Sequence, residues 1–242
     1  MDDVIPALEF VQLVKRYGAT DAIRSLSLNV AAGATFGLVG ANGAGKTTLI
    51  KCLMDFCCID AGTIRVFGVA STRTKARSRL AFLPERFVPP YYLTGRDFLM
   101  FMSQMYGKTF QAKDCATILE TLDLESTVLT RPVRLLSKGM TQKLGLAGCL
   151  LSGRELLILD EPGSGLDPKA RVLLKAALRS AREAGRTIFL TSHSLSDVDE
   201  TCDQIAVMHE GSLQYVGTPA ELKQQYDATS LEQAFLKCIG EK

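Results

Sequence analysis

The chain has 242 residues, enough for one large domain, or a domain with a subdomain, around a sizeable core. Hydrophobic residues make up 47% and charged residues 22%, an ordinary globular balance, and a net charge of +2 supplies no basic field that would argue for nucleic acid. No apolar run approaches the ~20 residues of a membrane span, and the acidic start "MDDVIPALEF" lacks a charged-then-apolar pattern, so no secretory segment is expected.

In chain order, "LEFVQLVKRYG" and "AIRSLSLNV" read as strands of an antiparallel layer. "ATFGLVG" is a short apolar strand, followed by a helix from Gly45 to about Asp55, and "GTIRVFG" and "LAFLP" are further short strands. "RTKARSR" gathers Arg73, Lys75, Arg77 and Arg79 and reads as a solvated charged face. From about residue 86 to 151 the pattern changes: "GRDFLMFMSQMYG", "KDCATILETLDL" and "TQKLGLAGCLL" have helical spacing, with no strand between them. "LLILD" and "TIFLTS" return as buried strands on either side of the helix "PKARVLLKAALRSAREAG". "QIAVMHEG" and "SLQYVG" form a late hairpin around Glu210 and Gly211, and "SLEQAFLKCIG" is a closing helix. This pattern predicts an α/β core interrupted by a helical insertion. Seven cysteines, an odd number without a CxxC pair, argue against a disulfide framework and for a reducing compartment. Cys52, Cys57 and Cys58 cluster with no histidine nearby, so they read as thiols rather than a metal site.

The chemistry concentrates in three places. "GANGAGKTT" matches G-x-x-x-x-G-K-[ST] and stands between an apolar strand and a helix, the context that motif requires. Gly40, Gly43 and Gly45 let the backbone wrap phosphate oxygens, and the loop from Gly40 through Ala41, Asn42, Gly43, Ala44 and Gly45 leads into a helix start whose free N–H groups and dipole favour an anion. Lys46 can reach β- and γ-phosphates, and Thr47, followed by Thr48, can offer its hydroxyl to Mg²⁺. "LLILDEP" ends a buried strand on Asp160, a carboxylate able to hold Mg²⁺ directly or through water. Glu161 beside it can orient and activate water as a general base. His193 follows "TIFLTS" at a strand end, where α/β sheets place ligands, and can contact the γ-phosphate or the attacking water. His209 has no assigned role. No Asn-Lys-x-Asp run occurs, which argues against a GTPase.

With these residues in order, the whole chain resembles the nucleotide-binding subunit of ABC transporters, and among them the ABC-2-type exporter ATPases. "GANGAGKTT" is the Walker A loop, "LLILDEP" Walker B, "LLSKGMTQK" the family signature, "GSGLDP" the D-loop, and "TSHSL" carries the switch histidine. The resemblance implies a P-loop NTPase core with a mixed sheet, an N-terminal antiparallel β layer and an inserted α-helical subdomain. It divides the single domain, residues 1–242, into a nucleotide-binding core (about 1–85 and 152–210), a helical subdomain (about 86–151) and a C-terminal hairpin with helices (about 211–242).

The resemblance also implies ATP and Mg²⁺ as bound groups. It places Tyr17 against adenine, and Glu85 of "LAFLPER" at the joining loop, where the family usually carries glutamine and where its oxygen can bind Mg²⁺ or water. Ser137 and Gly139 of the signature would meet the ATP of a second copy, or of a homologous ATPase subunit, in a head-to-tail dimer. Lys138 and Met140 depart from the usual Leu-Ser-Gly-Gly-Gln; Lys138 adds a cation near phosphate, and Met140 cannot hydrogen-bond as glutamine would. Asp167 would sit at the shared interface. The implied function is ATP hydrolysis driving transport, with a lean to export, through a separate integral-membrane permease that holds the protein on the inner, cytoplasmic face of the membrane. The aromatic and methionine-rich stretch "RFVPPYYLTGRDFLMFMSQMY" is either the helical subdomain's own core or a groove for that permease. A non-transport ABC-type ATPase acting on nucleic acid or ribosomes is the alternative. The near-neutral charge and the lack of long basic insertions speak against it.

Overall fold

The computed structural model describes residues 5–240; the first four residues of the acidic start and the last two of the closing segment lie outside the described residues. The first two strands are β1 (Leu8–Tyr17) and β2 (Thr20–Val30), antiparallel as expected. β3 (Thr35–Val39) leads into helix α1 (Lys46–Leu53). β4 (Ala61–Val66) pairs with β1, and the two-residue β5 (Val69–Ala70) pairs with β4, completing a four-stranded antiparallel sheet in the order β2-β1-β4-β5.

A short helix, α2 (Thr74–Arg77), precedes β6 (Leu80–Leu83). Here the charged run departs from the solvated face read in the sequence. Arg77 donates to Asp55 Oδ2 at 2.9 Å and to the Ser71 carbonyl at 2.8 Å. Arg79 donates from Nε to Glu155 Oε1 at 2.9 Å while its guanidinium lies 3.8 Å from the Phe67 ring centroid. Two of the four cations therefore fasten elements together through planar stacking and forked hydrogen bonding, which a count of charges does not reveal.

Three α-helices follow before the next strand: α3 (Gly95–Met105), α4 (Ala112–Thr121) and α5 (Lys138–Leu151). α3 opens on a capping box, with Thr94 and Asp97 each accepting the other's backbone N–H. The stretch before and within α3 is core only in part. Phe98 and Leu99 are core, whereas Tyr91 and Tyr92 are exposed at 66% and 68%, with Phe101 and Met105 also exposed.

The chain then returns to the sheet with β7 (Leu156–Asp160), α6 (Pro168–Glu183), β8 (Thr187–Ser192), α7 (Leu195–Thr201), β9 (Gln204–His209) and β10 (Ser212–Gly217), and ends in α8 (Pro219–Gln225) and α9 (Leu231–Cys238). The six-stranded sheet runs β10-β9-β3-β8-β7-β6, parallel throughout except for the β9–β10 hairpin. It is a mixed sheet, as expected.

The apolar runs of these strands are continuous because both faces are covered. Alternate residues enter two separate cores. Phe36, Leu38, Leu156, Ile158, Phe189, Ala206 and Met208 pack toward α1 and the antiparallel sheet. Val39, Leu157, Leu159, Ile188, Leu190, Ile205 and Val207 pack toward the helices on the other side. Phe36 and Phe189 are register partners on β3 and β8 and stack at 5.9 Å, with neither exposed. Phe189→Ala is expected to cost about 3–5 kcal/mol in urea denaturation, as for other buried aromatic truncations. A loss below about 1 kcal/mol would remove this pair from the core's main supports.

Candidate functional site

The parallel register brings the site together. Val39 pairs with Ser192, Asp160 with Thr191, and Leu83 with Leu159. The carboxyl ends of β3, β8, β7 and β6 therefore form one edge, and the residues just beyond them, Gly40, His193, Glu161 and Glu85, are neighbours there.

A cleft of about 880 Å³ opens at this edge. Ala41 through Thr48, Glu85, Asp160, Glu161 and His193 all line it. Gly40 starts the loop, and a Cβ there would stand 2.3 Å from the Met208 carbonyl, so only glycine lets the loop pass β9. Gly45 has φ +109°, and a Cβ would meet the Ala22 carbonyl at 2.5 Å. Lys46 is buried, and its Nζ donates to the carbonyls of Gly40 at 2.6 Å and Ala41 at 3.2 Å. Two of its three N–H donors hold the loop; the third is left for a phosphate oxygen. Burial holds the Lys46 pKa below the usual lysine value, against the opposing pull of Glu161, Asp160 and Glu85.

The two adjacent carboxylates are fixed by one threonine. Thr191, fully buried, donates its hydroxyl to Asp160 Oδ1 at 2.6 Å and accepts the Glu161 backbone N–H at 3.0 Å. Glu161 has φ +49°, a left-handed conformation uncommon outside glycine. That bend turns the chain off the end of β7, and the Ser164 N–H closes it on the Glu161 carbonyl at 3.0 Å. Glu161 Oε2 accepts the His193 backbone N–H at 3.3 Å and lies 2.9 Å from His193 Nδ1. With Oε2 so held, Oε1 is left for a water. Buried Gln142 of α5 donates from Nε2 to the Pro162 carbonyl at 3.4 Å, joining the signature helix to the same turn.

Burial pushes the Asp160 carboxyl above its ordinary value, and the charges of Glu85 and Glu161 add to this. Five carboxylates and only two cations, Arg24 and Lys46, line the cleft. A bare polyphosphate would meet net repulsion there, so this charge pattern fits Mg²⁺ entering with it. Among the described residues no group of three His, Cys, Asp or Glu side chains could hold a metal ion. Mg²⁺ does not require one, since it is held by one or two protein groups together with phosphates and water.

Four expected residues stand elsewhere. Ser137, Gly139 and Asp167 line a second hollow, of about 280 Å³. Ser137 caps α5 by accepting the Met140 N–H at 3.2 Å, and Asp167 caps α6 by accepting the Ala170 N–H at 2.8 Å with Pro168 at the first helical position. Gly139 and Lys138 pack on Gly165 of the D-loop segment. Tyr17 does not line the cleft; its ring is half exposed, its hydroxyl donates to Cys57 Sγ at 3.7 Å, and Lys15 Nζ lies 5.1 Å from its centroid.

Conversely, Thr20, Asp21, Ala22, Arg24, Glu210 and Gly211 line the cleft without having been singled out for it. They arrive on the start of β2 and on the β9–β10 turn, and the Gly211 N–H donates to the Ala44 carbonyl at 3.0 Å. Nothing in their spacing signals this. Thr191, a polar residue near the end of an apolar strand, was the one omission with a visible cue.

Fold and cleft together define a P-loop nucleotide-binding protein. The model of the ABC transporter family matches residues 23–164. The Nod factor export ATP-binding protein I of Paraburkholderia xenovorans is 38% identical over 222 residues, covering 89% of this chain and 72% of that protein. The linearmycin resistance ATP-binding protein LnrL of Bacillus subtilis is 30% identical over 238 residues, covering 97% and 76%. An uncharacterized ABC transporter ATP-binding protein of Synechocystis is 36% identical over 205 residues; the match takes in 84% of this chain but only 58% of that relative's length. A solved ATP binding subunit of an ABC transporter superposes with a TM-score of 0.87 at 27% identity, covering 96% of this chain and 99% of the other. This chain belongs to the ABC transporter family, as one of its ATP-binding proteins, and those are ATPases.

Proposed function

We propose that the chain hydrolyses ATP as one of two subunits paired head-to-tail, and that this cycle drives export through a separate integral-membrane permease at the cytoplasmic face. The observation that carries the pairing is the division of the site. The phosphate loop and catalytic carboxylate line one hollow, while Ser137, Gly139 and Asp167 line another. A two-fold pair brings each signature to the partner's phosphate loop and makes two equivalent sites. Export is supported by relatives that bear export and resistance names. No helix among the described residues is long and apolar enough to cross a membrane, so the membrane component is assigned to the permease. The exposed Tyr91 and Tyr92 offer that permease an apolar surface.

In this reading Lys46 and the loop N–H groups hold the phosphates. Thr47 and Asp160, with Glu85 alongside, would hold Mg²⁺, which supplies charge neutralisation at the phosphate oxygens. Glu161 accepts a proton from water at Oε1, while His193 fixes its other oxygen. Tyr17 is proposed to stack on the base from beyond the cleft's lining.

Ser137→Ala tests the pairing. In a Glu161→Gln background, ATP-dependent dimer formation measured by light scattering is expected to fall at least tenfold, since the hydroxyl is a direct phosphate donor (about 1.5–3 kcal/mol for a charged partner). An unchanged dimer would sink the assignment of Ser137 to the partner's nucleotide.

A further inference from the structure

The phosphate loop's helix carries a second chemical feature at its other end. Cys52 lies in the last turn of α1, buried, and Cys57 is half-buried five residues on. Their sulfurs are 3.6 Å apart. Among the described residues no other two thiols are within hydrogen-bonding distance. The turn between them is well held: the Asp55 N–H donates to the Cys52 carbonyl at 3.1 Å, the Phe56 N–H to the Lys51 carbonyl at 2.9 Å, and Arg77 grips the Asp55 side chain at 2.9 Å. The Phe56 ring meets Phe82 edge-on at 6.0 Å. The two sulfurs are thus neighbours by construction of the turn, and a disulfide needs only a further approach of about 1.5 Å.

We infer that Cys52 and Cys57 are a peroxide-reactive dithiol that closes reversibly into a disulfide. The two thiols have different parts. Cys57 is the more accessible, with the Tyr17 hydroxyl donating to its sulfur, so it is the thiol that meets peroxide first. Cys52 is held protonated by burial, its thiol pushed up to about 12, so it is the resolving partner rather than the first to react. The Cys57 thiolate attacks one peroxide oxygen; an S–O bond forms, the O–O bond breaks, and the departing oxygen takes up a proton as water or alcohol. Cys52 sulfur then attacks Cys57 sulfur; the S–S bond forms, the S–O bond breaks, and hydroxide leaves with the Cys52 proton as water. Two thiols lose two electrons and two protons, and the peroxide is reduced by the same two electrons. Exposed Cys58 competes for the peroxide but has no sulfur within hydrogen-bonding distance.

This chemistry does not depend on the nucleotide reading. The test uses the whole protein and a Cys58→Ser variant, each treated with hydrogen peroxide, alkylated and digested. Trypsin releases all three cysteines in one peptide, from Cys52 to Arg65. A disulfide shields both of its sulfurs from alkylation, so its peptide is lighter than the fully alkylated peptide by two alkylation mass increments and two hydrogens (about 2 Da), and dithiothreitol before alkylation abolishes the difference. Further cleavage after Phe56 leaves two pieces that stay joined only if the bond leaves Cys52; in Cys58→Ser its partner must be Cys57. That outcome in both proteins is expected. A Cys57–Cys58 bond, or oxidation of Cys57 and Cys58 to acids with Cys52 still alkylated, would overturn the inference.

Discussion

Glu161→Gln is expected to keep ATP bound and lower phosphate release by about 10²- to 10⁴-fold, the scale for losing a general base. Glutamine preserves the length of the side chain and an oxygen to accept the His193 N–H that Glu161 accepts at 3.3 Å. The Thr191 bond to the backbone N–H at this position is untouched. Only the basic oxygen is lost, so binding and turnover separate. Dimers that form on ATP should accumulate, because the step that releases them is blocked. Steady-state phosphate release with nucleotide-affinity measurements checks both halves; unchanged turnover would remove Glu161 from the chemistry and shift attention to His193.

Lys46→Ala acts on binding itself. Its ammonium bridges the Gly40 and Ala41 carbonyls and feels the charges of three carboxylates, Glu161, Asp160 and Glu85. Removing it leaves those carboxylates against Arg24 alone within the cleft. A lost charge-assisted phosphate contact is worth about 1.5–3 kcal/mol, so ATP affinity should fall roughly 10- to 100-fold. Stability without nucleotide should change by no more than about 1 kcal/mol, since the desolvation cost of the buried ammonium offsets its two bonds. Equilibrium titration with a fluorescent ATP analogue, beside urea denaturation, separates loss of binding from loss of fold. Retained affinity would contradict the phosphate role of Lys46.

The sequence revealed the parts of the site that lie on strand ends. Leu156–Leu159 of "LLILD" and Ile188–Leu190 of "TIFLTS" are apolar because β7 and β8 are covered on both faces, so the polar residues that follow them stand out. The glycine pattern of the phosphate loop was equally plain, since the neighbouring Met208 and Ala22 carbonyls exclude any Cβ. What escaped notice reaches the cleft through turns or backbone. Ala22 and Gly211 act through carbonyl and N–H groups that every residue carries. α7 and α8 were passed over: each is only seven residues long, too short to repeat a helical apolar pattern convincingly. The bonding of Arg77 and Arg79 depends on Asp55 and Glu155, which are distant in the chain and carry no signal of the pairing.

The order of strands has a consequence for how the protein is made. β3, which carries the phosphate loop, is paired on one side with β8 and on the other with β9. Both follow residue 164, where the family match ends. During synthesis the strand therefore waits, without either neighbour, until residues 187–209 have left the ribosome. Long-range parallel pairing of this kind closes slowly, because a large loop must be brought together before any ladder bond forms. The antiparallel pair β1–β2 is local and can form first, offering Phe36 and Leu38 an apolar surface in the interval. The nucleotide site is thus among the last features of the chain to exist, and an incomplete chain ending before β8 would present a glycine loop whose strand has neither of its sheet neighbours.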